Sequence, residues 1–235
     1  MLAIILAAVL AAPVPIPFFV GAYTTHDGGW TGYDVLVQYR PHEPLEGEFH
    51  QSVTYAWPGG RLSDGAFIQN GMSQRWPDAF RVGVRAEAFA YCWPDAGEMD
   101  GEMTFINLKW TEWSTGTWGE WYRFTATLDG GVWTLAVTGP DGVRHVQYRY
   151  SNPNRLAMFE VEAETWTSKW DGEQIPGPFP TQAMRHIRVR TPAGAWVLPP
   201  MAATNPQGGR VTSRTPGNAV FAWAPEPQLY TLLWR

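Results

Sequence analysis

Residues 157–166 read AMFEVEAETW, in which Glu160, Glu162 and Glu164 alternate with Phe159, Val161 and Ala163. Alternation at period two marks a half-buried strand, because successive side chains point to opposite faces. One face is apolar, and the other carries three carboxylates in a row. At a rise of about 3.4 Å per residue, neighbouring carboxylates sit about 7 Å apart. Each like-charged pair then costs on the order of 2 kcal/mol at an effective dielectric of about 20, and about 0.6 kcal/mol in open water. Two arrangements answer that repulsion. The strand lies on an outer, solvated surface, or it lines a groove where one acid has a raised pKa and serves proton transfer.

Other catalytic chemistries have no support in the sequence. It contains no HExxH, CxxC, GxSxG or P-loop pattern. The five histidines (His26, His42, His50, His145 and His186) are scattered, and none makes a metal-ligand spacing with another. Cys92 is the single cysteine, which rules out an intramolecular disulfide. It reads as a small core hydrophobe, with no Cys/His pattern around it. Neither a metal nor a cofactor is expected. What remains for chemistry is carboxylates, amides and aromatics.

The 235 residues are enough for a sizeable core without staples. Hydrophobic residues make up 45% and charged residues 17%, a globular composition. The formal net charge is −5 and no basic run occurs, which argues against a nucleic-acid partner. The chain opens MLAIILAAVLAAPVP. Its apolar run is too short to span a bilayer but suits a signal-peptide core, although no Lys or Arg precedes Arg40. A leader over 1–17, a single domain over 18–235 and a secreted or cell-envelope location are the expectation, with no stable membrane insertion. The alternative is a buried N-terminal apolar segment.

Strands between turns dominate the rest. Candidates are 33–40, 48–57, 65–71, 80–93 and 103–113, and later 184–191, 194–200, 218–223 and 229–234. Residues 121–150 form the clearest piece. The turn signals Asp129-Gly130-Gly131 and Pro140-Asp141-Gly142 join three alternating strands into a meander, and AMFEVEAETW follows it. No helical period extends over eleven residues. Gly and Pro, 24 and 20 in number, punctuate the chain throughout without forming one long linker. The expected class is all-β, two packed antiparallel sheets in a sandwich or jelly roll. Such sheets can leave one curved face wet, and a groove would lie there. Fourteen tryptophans could fill the core or line that groove.

Three segments, YAW at 55–57, FIQNG at 67–71 and AMFEVEAE at 157–164, resemble in order and spacing the glutamic peptidases of the eqolisin type. The plant neprosin family is similar more distantly. The resemblance covers roughly residues 50–180 and implies a concanavalin-like sandwich of two curved sheets. It implies a cleft tryptophan at Trp57 and a catalytic glutamine at Gln69. The family pattern A-x-F-x-x-E falls on Ala157, Phe159 and Glu162, which makes Glu162 the catalytic glutamate. FAYCWPD at 89–95 resembles the family's aromatic strand, but Tyr91 stands where that strand carries a glutamate. The family's aspartate after the tryptophan strand has Asp64 as its nearest counterpart.

In such a site one carboxyl group activates water and later protonates the leaving amine. A glutamine amide donates to the developing oxyanion without carrying charge. Glu162 and Gln69 would take these roles on a polypeptide substrate, working best in acid. Glu160 would raise the pKa of Glu162 by repulsion, while Glu164 reads better as solvated. Trp57, Tyr91, Glu160 and Asp64 would contact substrate, Tyr91 by donating a hydrogen bond, and core packing is the equal alternative for Trp57. The arrangement requires Gln69 and Glu162 on adjacent strands, converging in one groove. A non-catalytic carbohydrate-binding or adhesive jelly-roll module would instead show exposed, coplanar tryptophans away from Gln69. A glycoside hydrolase would need two carboxyl groups facing each other across a cleft. Oligomeric state is not legible.

Overall fold

A computed structural model describes residues 16–38, 53–75, 84–93, 102–111, 120–167, 182–204, 219–224 and 229–234. Among these residues the chain is all strand and turn. The strands are β1 (Ile16–Trp30), β2 (Gly32–Gln38), β3 (Val53–Leu62), β4 (Phe67–Arg75) and β5 (Val84–Trp93). Next come β6 (Glu102–Thr111), β7 (Trp121–Asp129), β8 (Val132–Thr138), β9 (Arg144–Ser151) and β10 (Leu156–Thr167). The last are β11 (Gln182–Arg190), β12 (Trp196–Val197), β13 (Ala202–Thr204), β14 (Ala219–Ala224) and β15 (Leu229–Trp234). The expected leader lies outside the described residues as far as position 15. Its last two residues, Ile16 and Pro17, already pair with Thr167 and Trp166.

One sheet runs β13-β1-β10-β3-β4-β5-β6, the other β14-β15-β11-β2-β7-β8-β9, and β12 pairs with β11. The pairings are antiparallel, as the all-β sandwich class requires. The 121–150 meander forms as its turn residues dictate. Gly130, Gly131 and Gly142 take the positive φ values of 59°, 81° and 79° that these tight connections need.

The core lies between the sheets and follows strand parity. Ala22, Ala56, Ile68, Met72, Phe159 and Val161 face inward from the first sheet. Tyr33, Val35, Val37, Phe124, Leu135 and Val137 meet them from the second. Tyr33 and Phe159 bring their rings to 5.5 Å across the gap. Each large side chain buried this way contributes about 1.5–3 kcal/mol. Cys92 is buried in this layer.

Several features depart from the sequence reading, among them β13, which was not expected, and the course of β1 and β3. β1, fifteen residues long, was not among the expected strands. β3 does not stop at Trp57 but continues through Pro58-Gly59-Gly60 to Leu62. Pro58 lacks an N–H, and the β3–β4 ladder skips Trp57 and Pro58 before resuming at Gly59 and Gln69. The two glycines survive inside the strand because neighbouring chains approach too closely for a side chain. A Cβ on Gly60 would lie 2.0 Å from the Met158 carbonyl oxygen.

Candidate active site

Strand parity on β10 sends Phe159 and Val161 into the core, so Glu160 and Glu162 point to the other face of the first sheet. That face is not open water at these positions: Glu160 is 1% exposed and Glu162 is 2% exposed. A solvated outer strand is therefore not their environment. The Glu164 side chain lies outside the described residues.

Register places the other candidates on the same face. In antiparallel ladders, directly paired residues share a face. Glu162 pairs with Trp57 on β3 and with Gly21 on β1. Glu160 pairs with Gly59 on β3 and with Tyr23 on β1. Gly59 pairs onward with Gln69 on β4, and Gln69 with Tyr91 on β5. One cross-strand row thus reads Tyr23, Glu160, Gly59, Gln69, Tyr91. The next reads Gly21, Glu162, Trp57, followed on β4 by Gly71.

Gln69 and Glu162 consequently share a face, but not on adjacent strands as expected. β3 lies between β10 and β4. Ideal sheet spacings put the two Cα atoms about 12 Å apart, two strands across and one row along. The residues between them explain how side chains can close that gap. Each large group has a glycine beside it on the neighbouring strand. A Cβ on Gly21 would fall 2.8 Å from Glu162 Cγ, one on Gly59 2.7 Å from Gln69 Cβ, and one on Gly71 2.6 Å from Trp57 Cβ. These approaches are closer than Cβ atoms tolerate, so the glycines leave the room into which Glu162, Gln69 and Trp57 lean.

Trp57 is 3% exposed, yet it lies outside the inter-sheet core. It packs edge-on against Phe67 at 5.8 Å between ring centroids, on the glutamate side of the sheet. Gln69 is half-buried. Tyr91 stands next to Gln69 in the register, and its side chain lies outside the described residues.

The structure does not bring Asp64 to this group. Asp64 sits in the β3–β4 turn and accepts from the Ala66 N–H at 3.1 Å, an Asx turn. Its other oxygen accepts from Asn152 Nδ2 at 2.8 Å and Asn154 Nδ2 at 3.0 Å. The carboxylate is thereby used to hold the β3–β4 turn against the β9–β10 connection.

A second polar cluster lies on the outer face of the other sheet. Asp34 accepts a two-pronged bond from Arg123, 2.7 Å at Nε and a shorter contact at Nη2. His186 Nε2 lies 3.5 Å from the same carboxylate. His186 holds a positive φ of 55° where the β11–β2 register shifts between Arg185 and Arg188. Desolvation lowers the His186 pKa from the ordinary histidine value, and the attraction of Asp34 only partly offsets it. Nothing in this cluster reaches the Glu162 face. Among the described residues, no group of three or more His, Cys, Asp or Glu side chains is placed to hold a metal ion. Nor is any helix there long and apolar enough to cross a membrane.

Sequence reasoning missed the glycines at 21, 59 and 71 and the flanking strand β1. A glycine next to a polar strand residue reads as a turn signal until the register is known.

No family model and no curated protein matches the sequence. Solved structures do. Scytalido-glutamic peptidase with a transition-state-analogue inhibitor aligns at a TM-score of 0.62 and 11% identity, covering 94% of this chain and 100% of that one. The same peptidase with a peptide-based transition-state analogue aligns at 0.61 and 10% identity over the same shares. The alignment extends well beyond residues 50–180, to which the short motifs are confined. The chain has the all-β sandwich fold of these glutamic peptidases.

Proposed function

We propose that the chain is an acid-active endopeptidase in which Glu162 moves the protons and Gln69 stabilises the oxyanion. The observation that carries this reading is the placement of Gln69 and the buried Glu162 on one sheet face, with Trp57 and Gly59 between them. A peptide laid across β3 would present its scissile carbonyl between the two groups. Glu162 as carboxylate takes a proton from water, which attacks the carbonyl carbon. The Gln69 amide donates Nε2–H to the developing oxyanion. The C–N bond then breaks as Glu162 returns the proton to the leaving amine.

Glu160 lies buried one row away on the same face of the same strand. Trp57 lines the floor of the cleft. Tyr91, level with Gln69, donates to the substrate. An apolar leader directs the protein to the cell exterior, where an acid optimum has a use. Trp30, Trp57 and Trp133 are buried and are not presented as an exposed stacking platform for sugars.

The test is incubation with a denatured protein substrate from pH 2 to pH 7, with fragments identified by mass spectrometry. Internal cleavage that rises towards acid is expected. A folded protein that cleaves at no pH rejects the proposal.

A further inference from the structure

Asn70, the neighbour of Gln69, points the opposite way, into the layer between the sheets, and is fully buried. Its flanking inward residues on β4 are Ile68 and Met72, both apolar. An amide at such a position is destabilising unless it is hydrogen-bonded. Here every N–H finds an acceptor. Asn70 Nδ2 donates to Gln147 Oε1 at 2.9 Å and to the Ala136 carbonyl at 3.1 Å. Asn70 Oδ1 accepts from the Tyr33 hydroxyl at 2.8 Å. Burial pushes the Tyr33 phenol well above its ordinary pKa, so it remains a donor. These partners sit on β2, β8 and β9, all in the opposite sheet.

The sequence is adapted to make this contact. Gln147 is the extra residue of a β-bulge: Tyr148 pairs with Leu135 and Val146 with Ala136, and Gln147 is skipped. A bulge re-aims a side chain, and this one turns a glutamine into the sandwich. Gln147 Nε2 is itself buried with no hydrogen-bond partner, a penalty that an apolar residue would avoid. A merely cohesive core has no use for such an arrangement. It does have a geometric effect. Apolar contacts let one sheet slide on another, whereas three hydrogen bonds fix β4 along its own length. A slip of one residue would put Gln69 in the core and Asn70 in the groove.

We propose that Asn70 is a positioning residue for Gln69, fixing the amide against Glu162 through Tyr33 and Gln147. The inference rests on the Gln69–Glu162 reading of the site. Tyr33→Phe removes one hydroxyl and keeps the ring that packs on Phe159, and Asn70→Leu removes the whole anchor. The expected result for Tyr33→Phe is a kcat lowered on the order of ten-fold, as misplacement of a catalytic group produces, with KM within about two-fold. The loss should vanish when Gln69→Ala is already present, because the effect acts through Gln69. If Asn70→Leu does not fold, the Tyr33→Phe pair with Gln69→Ala carries the test alone.

A folded Tyr33→Phe enzyme with unchanged kcat, or with the same loss in the Gln69→Ala background, overturns the positioning role while leaving the site intact. Full activity of Gln69→Ala alone instead rejects the site, and the positioning role with it.

Discussion

Glu162 on β10 and Gln69 on β4 present their side chains to the same face of one sheet, separated by a single strand whose local residues are Trp57 and Gly59. The separating strand matters as much as the pair. A bulky residue at 59 would fill the space directly between Glu160 and Gln69, which Gly59 leaves open.

Gly59→Ala is expected to harm both the fold and the site. The added carbon would lie 2.6 Å from the Ile68 carbonyl oxygen and 2.7 Å from Gln69 Cβ. Backbone on one side cannot yield cheaply, so β3 and β4 must part locally. The expected cost is about 1–3 kcal/mol in urea unfolding. Peptide cleavage should fall on the order of a hundred-fold as Gln69 is displaced. A wild-type cleavage rate in the folded variant would show that the gap beside Gln69 has no catalytic role.

Trp57→Phe separates floor from core. The indole is buried against Phe67 on the glutamate face. Losing its outer ring should lower stability on the order of 1–2 kcal/mol. If Trp57 lines the cleft, KM for a peptide substrate also rises. An unchanged KM with lowered stability would assign the residue to packing alone.

Asp64→Ala should do the reverse. It unhooks the β3–β4 turn from Asn152 and Asn154, with an expected loss of about 1–3 kcal/mol. Peptide KM should not change, because these contacts hold the carboxylate at the turn. A raised KM at constant stability would return Asp64 to the substrate site.

The outer cluster of the second sheet makes stability depend on pH. Desolvation depresses the folded-state pKa of His186, against a smaller lift from Asp34, while Arg188 and Arg123 lower it further. The unfolded chain protonates this histidine near about 6.5. Below that value the unfolded state binds more protons, so the His186 contribution is whole above about 6.5 and declines as pH falls towards the folded pKa. His186→Asn tolerates the positive φ and should flatten the change in urea midpoint between pH 7 and pH 5. An equally steep change in the variant would place the sensitive group elsewhere.

How much of this was legible in the sequence follows from which signals are local. The β10 alternation and the 121–150 meander were legible because period two and the Asp-Gly-Gly and Pro-Asp-Gly turns need no knowledge of neighbours. Face assignment for Glu160 and Glu162 followed from the same alternation. Their burial did not, since it depends on what lies over the face. β1 was hidden because IPFFVGAYTTHDGGW has no clean alternation and follows an apolar run. The continuation of β3 was hidden because Pro58-Gly59-Gly60 is ordinarily a turn signal. Asn70 read as an unremarked polar residue, and only the inter-sheet packing exposes its partners.

The central claim is most directly tested by Glu162→Gln and Gln69→Ala, each shown to be folded by its unfolding midpoint and then assayed for cleavage at the acid optimum of the wild type. The account predicts that Gln69→Ala loses on the order of a hundred-fold or more in kcat, as removal of an oxyanion donor does. Glu162→Gln, left with no group to move the proton, should be inactive. Near-wild-type cleavage by either folded variant would contradict the account.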